Sequence, residues 1–256
     1  VPYWKNCWRK ITKFSRKKIY KKMNILITRP LIDSEDLMGK FFSLGHKITH
    51  IPTLKISSAK IDLVDVNQYN AFIFTSANAI RNLKVIKPDK SKLCFCVGAI
   101  TEKIARMSGY NNTVSAGGNV NALKNLIISS SLLNEKSKIY YSVGAYASYD
   151  LDVELKREGI KTNKIVNYTS EKITDLNKEN KKIIVNHPPD VIFVYSARSA
   201  ASFIEIVKKY SLYPLMTGSK VMCISKKVAD IFISNNWKKI EIFNPGDELL
   251  QLGKKN

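Results

Sequence analysis

Hydroxyl and amide side chains recur in this sequence wherever an apolar run gives way to a helical pattern. Ala71-Phe72-Ile73-Phe74 leads into Thr75-Ser76-Ala77-Asn78, and Val191-Ile192-Phe193-Val194-Tyr195 leads into Ser196-Ala197-Arg198-Ser199. Leu93 to Val97 leads into Gly98-Ala99-Ile100-Thr101, and Val221 to Ile224 leads into Ser225. Ser, Thr and Asn are the residue types that cap helix N-termini. A helix start also leaves backbone N–H groups unsatisfied and carries the positive end of the helix dipole, which suits an anionic ligand. Thr75, Ser76, Thr101, Ser196, Ser199 and Ser225 are therefore candidate binding positions. Any one of them alone reads as a plain cap. The recurrence at four junctions carries the argument.

Other chemistries find little support. His46, His50 and His187 are the only histidines; His46 and His50 stand four apart, but on an expected strand just after Gly45, so no shared helical face is expected, and no HExxH pattern occurs. Cys7, Cys94, Cys96 and Cys223 form no CxxC pair, so buried thiols in a reducing cytosol are expected and no metal site. Val97-Gly98-Ala99-Ile100-Thr101 holds one glycine and no following GK[ST], which leaves nucleotide binding without a fingerprint. No Ser-His-Asp or Cys-His set can be assembled. A site without such groups points to chemistry driven by the substrate, with the protein governing its conformation.

The elements around these positions alternate. Asn24 to Thr28, Lys47 to Ile51, Phe72 to Ser76, Leu93 to Val97, Asn112 to Ala116, Lys138 to Ser142, Lys161 to Tyr168, Val191 to Tyr195, Val221 to Ile224 and Ile240 to Phe243 read as strands. Helical patterns stand between them, with Asp33 or Ser34, Thr101 and Ser148 as expected caps and Gly45, Gly109 and Gly159 as stops. Residues 172–188 are expected to be a solvated excursion. Strands and helices alternating at this pitch imply parallel sheets covered on both faces, here two sheets of five. The chain also echoes itself. Ile25–Ile51 parallels Ile139–Val166, and Ile100-Thr101-Glu102-Lys103-Ile104-Ala105 parallels Ile224-Ser225-Lys226-Lys227-Val228-Ala229.

The formal net charge is +21, of which residues 1–22 carry nine Lys or Arg and no acid, leaving +12 for the remainder. Such a field attracts polyanions, nucleic acid and carboxylate-rich metabolites alike. Residues 1–22 are expected to be a basic extension outside the fold, since Met23 stands directly before the first strand and looks like a natural start. No apolar run is long enough to span a bilayer.

Leu26-Ile27-Thr28-Arg29-Pro30, Phe72-Ile73-Phe74-Thr75-Ser76-Ala77-Asn78-Ala79, Val97-Gly98-Ala99-Ile100-Thr101, Asn167-Tyr168, Tyr195-Ser196-Ala197 and Ile224-Ser225 with Val228-Ala229 follow one another in order. Through these pieces, over residues 24–252, the chain resembles the uroporphyrinogen-III synthase family. The resemblance implies two similar doubly wound α/β domains (flavodoxin- or Rossmann-like) joined by a two-stranded linker, with a cleft between them. Residues 23–53 and 170–256 would form a discontinuous first domain and 57–166 the second, with 52–56 and 166–169 as the crossings. It implies cyclisation of hydroxymethylbilane to uroporphyrinogen III in a cytoplasmic monomer, without cofactor, metal or specific nucleic-acid partner. Tyr168 matches the tyrosine that the family places at the cleft, so a role in hydroxyl departure is implied. Arg29 and Arg198 become candidate partners for substrate carboxylates. The alternative is a non-catalytic two-domain binder of an anionic metabolite. One departure stands out: the second half reads Cys223-Ile224-Ser225 where the first has a glycine at Gly98.

Overall fold

The computed structural model describes residues 21–252 apart from 84, 87, 88, 135 and 148, and apart from the side chain of Ile86. Residues 1–20 of the expected 1–22 extension, Cys7 among them, and the Ser148 cap lie outside the described residues. The chain divides into two compact units, one holding the described residues up to Ile51 and those from Asp175 on, the other running from Pro52 to Thr174.

The first unit is built on β1 (Asn24–Ile27), β2 (Lys47–His50), β11 (Val191–Val194), β12 (Lys220–Cys223) and β13 (Ile240–Ile242). They lie in the order β2-β1-β11-β12-β13, and every neighbouring pair is parallel. In the second unit β5 (Ala71–Phe74), β7 (Leu93–Cys96), β8 (Thr113–Ser115), β9 (Lys138–Gly144) and β10 (Lys161–Lys172) lie in the order β10-β9-β5-β7-β8, again parallel throughout. A further strand, β3 (Leu54–Ser58), pairs antiparallel with the outer half of β10, from Tyr168↔Ser58 to Lys172↔Leu54. β4 (Val64–Asp65) and β6 (Val85–Ile86) make a separate two-stranded pair. The described residues thus hold thirteen strands rather than ten, and the sheets have five, six and two strands rather than five and five. The stretches 52–56 and 166–169 contribute to β3 and to the middle of β10.

Each central strand is apolar on both faces because helices cover both. Phe72 and Phe74 of β5 pack into one cluster while Ala71 and Ile73 pack into another. Val191 and Phe193 of β11 separate from Ile192 and Val194 in the same way. Side chains alternate across a strand, so a continuous apolar run is the signature of a sheet buried on both sides.

The covering helices are α1 (Leu31–Ser43), α2 (Ala77–Arg81), α3 (Ala99–Met107), α4 (Val120–Ile128), α5 (Leu151–Arg157), α6 (Lys178–Asn186), α7 (Ala197–Lys209), α8 (Tyr213–Met216), α9 (Lys226–Ile233) and α10 (Glu248–Leu252). α1 begins after Pro30, and neither Asp33 nor Ser34 caps it. The buried Ser34 hydroxyl instead donates back to the carbonyls of Pro30 (3.1 Å) and Leu31 (3.3 Å). Gly45, just past the end of α1, has a φ of 84°, which a side chain would strain. The stretch 172–188 is not a solvated excursion: it holds α6, capped by Asn177 and docked through the buried Ile184. Its lysine and asparagine content hid an amphipathic helix with a single buried anchor.

Taken edge to edge, β2-β1-β11-β12-β13 and β10-β9-β5-β7-β8 are the same arrangement with the chain entering at a different point. Ile25 pairs with Val191 and Ile139 pairs with Ala71, so Val191 and Ala71 occupy equivalent places. Val191 pairs with Lys220 and Ala71 with Leu93, which makes Cys223 equivalent to Cys96 and Ser225 equivalent to Gly98. The echo drawn from sequence set Ser225 against Thr101, three residues away. Three residues is close to one helical turn, so the apolar stripe repeats and cannot fix the register.

Candidate functional site

In an open parallel sheet, ligands meet the carboxyl ends of the strands, above all where strand order reverses. That point falls between β1 and β11 in the first unit and between β9 and β5 in the second. The sequence-derived candidates gather along these two edges.

In the second unit Ser76 is the N-cap of α2, and its hydroxyl accepts from the Asn78 N–H at 3.1 Å. Thr75 precedes it and is half-buried. Burial pushes the Tyr141 phenol up, with the polar Thr75 side chain acting against that shift. Thr101 is not a cap. Gly98 is the N-cap of α3, and Thr101 is buried in the first turn with 6% exposure. Glycine suits Gly98 because a Cβ there would come 3.1 Å from the Gly118 Cα, a crowded approach, where the Gly118 N–H donates to Val97 O at 2.7 Å.

Tyr168 lies in β10 level with Gly144, the last residue of β9. Its ring covers the Gly144 Cα so closely that a Cβ there would stand 2.5 Å from Tyr168 Cζ and 2.8 Å from its hydroxyl oxygen. The strand register slips between Val166 and Tyr168, at Asn167. Asn167 is fully buried, with its side-chain nitrogen 2.8 Å from the Ser142 hydroxyl and 3.2 Å from the Tyr140 hydroxyl.

In the first unit Ser196 caps α7, its hydroxyl accepting from the Ser199 N–H at 3.0 Å. Ser199, buried at 4% exposure, donates its hydroxyl to Thr28 Oγ1 at 3.0 Å, and Thr28 donates to Phe193 O at 2.9 Å. These bonds tie the ends of β1 and β11 together at the point of reversal. Arg29 rests on the Tyr195 ring, 4.4 Å from its centroid. The Tyr195 hydroxyl lies 3.3 Å from Glu248 Oε1, while Glu248 Oε2 accepts from the Gly246 N–H at 2.9 Å. Burial, with Glu248 beside it, pushes the Tyr195 phenol well above the usual tyrosine range. Arg198 is half-buried in the first turn of α7. Ser225 is the N-cap of α9 and makes no side-chain cap bond.

Sequence reasoning missed Gly144, Tyr141, Asn167, Tyr195 and Glu248. Only Asn167 and Tyr195 had a signal, as neighbours of Tyr168 and Ser196. Among the described residues no three His, Cys, Asp or Glu side chains gather so as to hold a metal ion, and no helix is long and apolar enough to cross a membrane.

Two parallel sheets of one spatial order, each edged with hydroxyl-bearing helix starts, define a two-unit α/β protein suited to a polyanionic ligand. A family profile described as uroporphyrinogen-III synthase HemD matches residues 35–242. The chain therefore belongs to the uroporphyrinogen-III synthase family, whose members are cyclising lyases of tetrapyrrole biosynthesis. It is similar in fold to the uroporphyrinogen-III synthetase of Helicobacter pylori (13% identity, 90% of this chain and 96% of that one, TM-score 0.58). A mutant uroporphyrinogen III synthase from Thermus thermophilus is similar too (14% identity, 90% and 95% coverage, TM-score 0.52). No curated protein gives a match.

Proposed function

We propose that the chain closes linear hydroxymethylbilane to uroporphyrinogen III, with loss of water and inversion of the last pyrrole ring. The observation that carries this reading is the family match over residues 35–242. The substrate bears acetate and propionate side chains, and carboxylates are the natural ligands of helix starts and of arginine. The first turns of α3 and α9 begin at Gly98 and Ser225, neither of which closes them with a side-chain cap bond, so they are the strongest candidates among the helix starts. Ser76 and Ser196 spend their hydroxyls on their own helices, and their contribution to substrate would come through backbone N–H groups. Arg29, held on the Tyr195 ring, and Arg198 in the first turn of α7 are proposed as carboxylate partners.

Tyr168 is proposed as the acid that helps the hydroxyl leave as water. Departure gives an electrophilic azafulvene that closes unaided, but without inversion. The protein's task is to hold a folded conformation that leads through a spiro intermediate, so orientation outweighs acid strength.

Purified protein given hydroxymethylbilane is expected to yield mainly the type III isomer. Type I alone would overturn the reading. Binding with no change in isomer composition would instead mark a non-catalytic receptor.

A further inference from the structure

We propose that Gly144 and Asn167 act together as positioning residues for Tyr168: the buried amide fixes the turn of β10, and the missing Cβ gives the ring its seat. The inference rests on the proposed role of Tyr168 and names what makes that role possible.

Three observations carry it. First, the pairing of β10 with β9 runs without interruption from Lys161↔Lys138 to Val166↔Val143, then resumes as Tyr168↔Gly144. Asn167 is the extra residue of this irregularity. An inserted residue bends a strand and re-aims the side chains beyond it, and such features collect beside active sites. Second, the irregularity is locked from inside. The Asn167 amide meets Tyr140 Oη at 3.2 Å and 3.3 Å, Ser142 Oγ at 2.8 Å and its own strand at Ile165 O, 3.3 Å away. Ser142 in turn donates to Ala79 O of α2 at 2.9 Å, and the Asn167 carbonyl accepts from the Ala59 N–H at 2.9 Å. Tyr140, Ser142 and Asn167 are all fully buried. A buried polar network with its groups paired admits few other arrangements, so it specifies one backbone path. That path also reaches α2, whose start is capped by Ser76.

Third, the ring that emerges from this turn lies where only glycine leaves room. The three atoms nearest a Cβ on Gly144 are Cζ, Cε2 and Oη of Tyr168, at 2.5, 2.7 and 2.8 Å. The φ of Gly144 is not positive, so its backbone would accept alanine. The glycine is required by the tyrosine ring and by nothing else among its nearest neighbours. A ring pressed onto bare backbone, beside a locked irregularity, has its phenol oxygen fixed in direction as well as place, as a group acting on one substrate hydroxyl requires.

A double-mutant cycle separates this from a general packing role. Gly144→Ala and Asn167→Ala are each made alone and together with Tyr168→Ala, and thermal midpoint, kcat, KM and product isomer ratio are measured with hydroxymethylbilane. In the presence of Tyr168, each single variant should lower kcat by about tenfold or more with KM changed far less. Gly144→Ala should also lower the thermal midpoint when Tyr168 is present and leave it unchanged in the Tyr168→Ala background. That readout needs no activity and stands if Asn167→Ala fails to fold. A Gly144→Ala midpoint loss that persists without Tyr168, or wild-type kcat in Gly144→Ala, would overturn the proposal. Failure of the wild-type protein to form type III product would sink the functional reading instead, leaving the stability coupling intact.

Discussion

Tyr168 and Tyr195 show how environment sets the use of a phenol. Tyr195 is spent on structure: its ring carries Arg29 and its hydroxyl meets a carboxylate only 5% exposed. With its pKa pushed up by burial, it is poorly placed to give up a proton. Tyr168 is half-buried, in β10 level with the end of β9. Tyr168→Phe keeps the ring on Gly144 and removes only the hydroxyl, so kcat should fall by roughly 10²-fold, the low end for a general acid, with the fold kept. Wild-type turnover in that variant, measured by product formation, would remove Tyr168 from the mechanism. The cysteines make a second case. Burial pushes the thiols of Cys96 and Cys223 up to about 12. A folded-state pKa above the unfolded one, near 9.0, means their neutral forms add stability that is present below that value and is lost as pH rises from there toward 12. At about pH 8 the native protein should therefore resist thiol alkylation at both, while the unfolded chain reacts, as mass spectrometry would show. Modification of the native protein would contradict their burial.

Cap residues that look alike in sequence do different things in the elements they begin. Ser196 accepts the Ser199 N–H, whereas Ser225 makes no cap bond. Ser196→Ala should cost about 1 kcal/mol in denaturant unfolding, and Ser225→Ala only a small fraction of that. Equal losses would mean that both hydroxyls are structural. Sequence pattern located all four junctions because strand-to-helix transitions announce themselves by residue type. It could not say which hydroxyl was already occupied, since that depends on backbone angles at the turn. Nor could it choose between Gly98 and Thr101 as the start of α3, or set the echo in register, because a shift of one turn preserves the apolar face. Asn167 and Gly144 were out of reach for a different reason. Their importance lies in a slipped strand register and a ring-to-backbone approach, and neither leaves a periodic mark.

At the scale of the whole molecule, the chain builds one sheet plan twice with permuted connections, and both carboxyl edges present helix starts of the same design. The pattern of alternating runs made the parallel α/β class legible. The thirteen strands of the described residues exceed the ten expected because β3 is mixed in composition and β4 and β6 are only two residues long. Charge acts at this scale as well. Removing residues 1–22 would leave +12 of the formal +21, still a field that favours a polycarboxylate. A variant lacking residues 1–20 should form product at the full-length rate, and loss of turnover would assign that segment a part in the reaction. The most direct test of the whole account compares the macrocycles formed from hydroxymethylbilane with and without the protein, separated as isomers after oxidation. The account predicts that the protein diverts the spontaneous type I product to type III. An unchanged type I product in the presence of folded protein would contradict it.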